Sequence, residues 1–205
     1  MACRPRIPLI AGWSIVLTPI LLSACSFLGR GSPTPGGFSD YGLQAIDLSE
    51  YWARVESLAN DWRPEAYVSQ VSIDVALPNS PGSSSGVQFK VESPTDDMVS
   101  LGVMCEKGSC KAIEFDQSPG FPIGHCRSIE LVDPEVGSQQ ALVIGLEQGG
   151  SNYVYNSDAT ALLILSYASG NKVCSERLTW TVTFFEPVTR GVRVIIDAKT
   201  GEVVE

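Results

Sequence analysis

Leu178-Thr179-Trp180-Thr181-Val182-Thr183-Phe184-Phe185, then after a short turn Val192-Arg193-Val194-Ile195-Ile196-Asp197-Ala198-Lys199-Thr200-Gly201-Glu202-Val203-Val204, is the stretch that decides the fold. Leu178, Trp180, Val182 and Phe184 alternate with Thr179, Thr181, Thr183 and Phe185. That is the period of a strand with one wet face. The second run reads as a strand from Val192 to Asp197, a tight turn, and a last strand from Glu202 to the end. Asp197 and Thr200 can bond local backbone groups in that turn, and Gly201 supplies a positive φ.

Moving outward, the same grammar occurs twice. Upstream of the hairpin, Ala159 to Tyr167 reads as a strand, and the strand ending at Phe185 is drawn from about Cys174. Before them Asp133-Pro134 opens a unit, with Pro at a position the first helical turn tolerates. Ser138 to Gln148 is expected to be a helix closed by Gly149-Gly150, although Leu142 to Leu146 is apolar nearly all round. Earlier in the chain Asp47-Leu48-Ser49-Glu50 looks like a helix start with a capping box. Leu48, Tyr51, Trp52, Val55, Leu58, Ala59 and Trp62 follow at spacings of three and four, one helical stripe. The two Trp residues read as core, and Pro64 ends the helix. Four strands are expected next: Val71, Ile73, Val75 and Leu77 in the first; Val87, Phe89 and Val91 in the second; Met98 to Cys105; and Cys110 to Asp116. Glu106 to Ser109 makes the last hairpin loop.

The Pro/Gly-rich run from Ser118 to Gly124 is the best boundary in the body. The expected fold class is therefore α+β, with two tandem units, each one helix packed on a four-stranded antiparallel sheet. The first spans 47–117, a joint spans 118–132, and the second spans 133–205.

The C-terminal stretch from about Leu178 to Glu205 resembles the PepSY domain, a family that ends in an aromatic-led strand, a hairpin, and a strand finishing in Asp-Ala-x-Thr-Gly-x-Val. Asp197, Ala198, Thr200 and Gly201 carry that motif here. It builds a hairpin, so it marks fold and not chemistry. The first unit lacks the signature and is grouped with the family by its helix-plus-meander pattern. The resemblance implies an extracytoplasmic binding module, with a peptidase-inhibitory or chaperone-like role among those proposed for the family.

The N-terminal segment reads as an address. Arg4 and Arg6 precede an apolar run from Ile7 to Leu22, interrupted by Pro8, Gly12 and Pro19. A bilayer span needs about 20 apolar residues, so the run reads as a secretory signal. Leu22-Ser23-Ala24-Cys25 resembles the bacterial lipoprotein box. It implies a signal peptide over 1–24 and lipidation at Cys25, the partner side of a membrane anchor. Residues 25–46 form the lipidated Cys and a Gly/Ser/Pro-rich tether. The expected location is the outer face of a bacterial membrane, in the cell envelope.

Fourteen Lys plus Arg against 23 Asp plus Glu give a net charge of −9. An acidic chain without a basic cluster repels phosphate backbones, so no nucleic-acid partner is expected. Cys105, Cys110, Cys126 and Cys174 of an exported chain suggest two disulfides. Three connectivities are possible. Cys105–Cys110 with Cys126–Cys174 is preferred, because the first pair flanks a four-residue hairpin loop. That pairing turns Ile113 and Phe115 away from Leu101 and Val103, and calls for a bulge or a sheet covered on both faces. A zinc site from Cys105, Cys110, His125 and Cys126 is the sharper alternative, at unusual spacing. His125 is the only histidine, and nucleophilic catalysis would need it beside a Ser or an unpaired Cys. Asp96-Asp97 has no calcium-loop spacing, and Ser83-Ser84-Ser85-Gly86 lacks the Lys of a phosphate cradle. No catalytic, cofactor or metal residue is assigned. The expected function is a non-catalytic, lipid-anchored module that binds a protein or peptide. The alternatives are a structural or assembly lipoprotein of the envelope and, more distantly, a hydrolase or zinc-dependent enzyme.

Overall fold

Alternation of apolar and polar residues gives a strand one side to bury. The computed structural model describes residues 43, 46–77, 85–116, 126–155, 159–167, 174–186 and 191–204, all within the unit Ser32–Glu205. Helix α1 (Ser49–Trp62) leads into β1 (Tyr67–Val75), β2 (Gly86–Ser93), β3 (Asp96–Glu106) and β4 (Ser109–Asp116). Helix α2 (Ser138–Glu147) and a 3-10 turn (Gly150–Tyr153) lead into β5 (Thr160–Ser166), β6 (Thr179–Phe185) and β7 (Val192–Asp197).

The seven strands form one antiparallel sheet in the order β4-β3-β2-β1-β5-β6-β7. The fold is α+β as expected, but the division into two four-stranded sheets is corrected. β1 and β5, the first strands of the two halves, pair directly from Gln70↔Ser166 to Val75↔Ala161. A strand with one free edge would leave a row of unpaired N–H and C=O groups, and this seam satisfies both rows at once. The eighth strand is also corrected. Among the described residues beyond the turn, only the bridge Ile196↔Val203 forms, with Val204 N–H bonded to Ile195 C=O at 2.8 Å. Leu178 and the residues back to Cys174 precede β6 without joining it.

Register places the core. Ala112, Val103, Phe89, Val71, Leu165, Trp180 and Ile196 form one row across all seven strands. Trp52 of α1 meets Phe89 edge to face at 5.8 Å, an arrangement contributing about 0.5–1.5 kcal/mol beyond area burial. In α2, Gly145 lies against Val182 and Phe184, which share that face. Both helices therefore cover the same side of the sheet. The α1 stripe is buried as its spacing requires, with Trp52, Val55 and Ala59 inside. Ala141 through Leu146 are all buried, which is what a helix apolar all round demands.

The ends of α1 are fixed by polar groups. Asp47 accepts the Ser49 N–H at 2.9 Å, and the Ser49 hydroxyl first and this N–H second hold its carboxyl below the usual carboxylate range. The helix thus begins one residue later than the capping box suggests, with Leu48 at the N-cap position, and the expected box hydrogen bond is replaced by this shorter Asx contact. Past the other end, Arg63 contacts Asp96 at 2.6 Å. Glu65 accepts hydrogen bonds from Thr95 at 2.7 Å and Ser93 at 2.9 Å. These contacts fasten the helix to the β2–β3 turn.

Candidate functional site

The Asp197 turn is a structural device. Asp197 Oδ1 accepts the N–H groups of Lys199 at 2.9 Å and Thr200 at 3.0 Å. Thr200 Oγ1 accepts Glu202 N–H at 3.3 Å, and Gly201 has φ +76°. Ala198 is fully buried. Its N–H donates to Leu178 C=O and its C=O accepts Val136 N–H. Trp180 Nε1 donates to Val136 C=O at 2.7 Å. The turn therefore locks the segment leading into α2 onto β6 and β7.

The cysteines form Cys105–Cys110 and Cys126–Cys174. Such bonds belong to an oxidising, extracytoplasmic environment. They also consume the sulfur ligands of the zinc set drawn from Cys105, Cys110 and Cys126. Cys25 and His125 lie outside the described residues. Among the described residues, no group of three or more metal-ligating side chains converges, and no helix is long and apolar enough to cross a membrane. Asp96 serves the Arg63 contact, and Met98 N–H also donates to it at 2.9 Å. Ser85 Oγ accepts Ala76 N–H at 3.2 Å.

The bond Cys105–Cys110 needs neither a bulge nor a second cover. β3 and β4 pair without a shift from Val99↔Asp116 to Glu106↔Ser109. Cys105 and Cys110 stand on the helix-covered face, so Ile113 and Phe115 stand on the opposite one. There they are simply exposed, at 53% and 39%, with Met104 at 48%. Gly102, opposite Ile113, makes room for the Phe115 ring, since a Cβ there would lie 3.2 Å from Phe115 Cε1. Among the described residues β4 pairs with β3 alone, and all of it except half-buried Cys110 is exposed. At the other end of the sheet, Glu202 to Val204 bond back onto β7 and occupy part of its edge.

Two concavities flank this architecture. A cleft of about 510 Å³ runs between α1 and residues 128–132, lined by Trp52, Glu56, Tyr67, Ile129 and Leu131. Its wall is held by Ile129 N–H bonded to Val68 C=O at 2.8 Å. A second, of about 530 Å³, borders the hairpin tip and includes Asp74, Gln88, Met104, Glu106 and Lys111. The second adjoins the exposed β3–β4 apolar side chains, and together they form the candidate binding surface. In the sequence Ile113 and Phe115 stand out as apolar residues turned away from Leu101 and Val103. That misplacement was the signal for the surface.

No family model, curated protein or solved structure matches the chain.

Proposed function

We propose that the protein is a non-catalytic, lipid-anchored module of the cell envelope that binds a protein or peptide partner through the β3–β4 end of its sheet. One observation carries the reading: β4 is exposed along its length while bearing Ile113 and Phe115. Exposed apolar side chains beside a sheet edge suit strand addition, where main-chain bonds give affinity and side-chain contacts give selectivity. The lipobox ending at Cys25 supports the anchor, and the disulfides agree with export. The PepSY resemblance of residues 178–205 supports a peptidase as one class of partner, bound in an inhibitor-like manner.

A photocrosslinking residue placed at position 113 of the full-length lipoprotein tests this in its own envelope. A control goes at Lys199, which is exposed in the distant turn. A discrete adduct from position 113 and none from position 199 is expected. No adduct at 113, or the same products at both positions, would overturn the reading. Replacing Cys25 with Ser should release the protein from the membrane fraction.

A further inference from the structure

We infer that the outer edge of β4 takes an extended partner strand with basic side chains on one side and apolar side chains on the other, a refinement that rests on the binding-module reading. Cys105 and Cys110 face each other with Cα atoms 4.1 Å apart. That is the spacing of a non-hydrogen-bonded antiparallel pair, whose N–H and C=O groups point away from the partner strand. The pattern alternates, and the β3–β4 register is unbroken. Cys110, Ala112, Glu114 and Asp116 therefore direct their backbone groups outward, while Lys111, Ile113 and Phe115 bond to β3.

Side chains follow the same alternation. On the helix-covered side, an incoming strand meets small Ala112 and then the exposed carboxylates Glu114 and Asp116. On the other side it meets Ile113 and Phe115, with Lys111 at the far end. Directly opposed charges of unlike sign stabilise a strand pair and like charges weaken it. Basic residues facing Glu114 and Asp116 and apolar residues facing Ile113 and Phe115 satisfy both rows. A second copy of β4 does not, because its helix-side row carries two acids and no base. The net charge of −9 adds a long-range pull toward a basic segment.

The test uses the full chain in detergent micelles and two dye-labelled peptides of one composition. One alternates Arg with Val or Ile; the other places the Arg residues in a block and the apolar residues in another. Several favourable cross-strand pairs should make the alternating peptide bind about tenfold tighter. Ala112→Pro removes an outward N–H and leaves the β3 bonds intact, and proline is tolerated on an edge strand. It should abolish the preference. Backbone N-methylation of the alternating peptide should do the same with the protein untouched, so a poorly folding variant leaves the test decisive. Equal affinities for the two peptides, or a preference that survives N-methylation, would overturn the inference. A partner adduct at position 113 alongside equal peptide affinities would sink this refinement and leave the binding reading standing.

Discussion

Gly145 sits where α2 crosses β6, and a Cβ there would lie 2.7 Å from Val182 Cγ1 and 3.1 Å from Phe184 Cε2. Val182 is β-branched and cannot swing aside. Alanine would gain about 0.8–1.0 kcal/mol in helix propensity, against overpacking of about 1–3 kcal/mol. Gly145→Ala should therefore lower the melting temperature, and a rise would refute this packing. The Glu65 and Asp96 carboxyls also act at this scale. Hydrogen bonds from Thr95, the Glu65 backbone and Ser93 hold Glu65 below the usual carboxylate range. The Met98 N–H and then Arg63 do so for Asp96. Groups with lowered folded-state pKa stabilise fully above their unfolded values and lose that contribution as pH falls through the folded ones. Thermal melts should show an acid-side loss of stability that is shallower in Glu65→Gln. An unchanged acid limb would show that the Glu65 contacts do not couple to folding. None of this fastening was visible in the sequence, because Glu65 and Thr95 are thirty residues apart.

Among the elements, what was legible followed from period. The alternation of Leu178 to Phe184 and the stripe from Leu48 to Trp62 fixed which sides are buried, since burial is the dominant force and the period is set by backbone geometry. The β1–β5 seam escaped, because alternation does not say whether a strand lies at an edge or within a sheet. A hint was present in Ala161-Leu162-Leu163-Ile164-Leu165, apolar on both sides as interior strands are. The seam carries a prediction. Ile73, in the middle of β1, stands between Val87 of β2 and Leu163 of β5, so Ile73→Pro would delete a ladder group inside the sheet, where proline is excluded. Ile73→Pro should prevent folding of both halves, read as loss of protection from hydrogen exchange in β2 and β6 alike. Protection retained in β6 would mean that the halves fold separately. The candidate surface was half legible. Ile113 and Phe115 stood out as a conflict with the disulfide, and only the register showed that the conflict is resolved by exposure.

For the whole molecule, one continuous sheet implies one cooperative unit. Urea denaturation followed by exchange in β2 and in β6 should give a single shared midpoint, and two midpoints would restore the idea of independent units. The two disulfides should differ in worth. Closing 48 residues between Cys126 and Cys174 removes about 4 kcal/mol of chain entropy from the unfolded state, and closing five between Cys105 and Cys110 about 2 kcal/mol. Replacing Cys126 and Cys174 by Ser should lower the denaturation midpoint more than replacing Cys105 and Cys110; the reverse order would contradict that account. The Trp180 indole has a further consequence. Its N–H is fully buried and donates to the Val136 carbonyl, which sits in the strand of chain leading to α2 and is clamped by Ala198. In a proton magnetic-resonance spectrum this one indole signal should persist in heavy water after the other tryptophan signals have vanished, a single-atom gauge of how often the entire body opens.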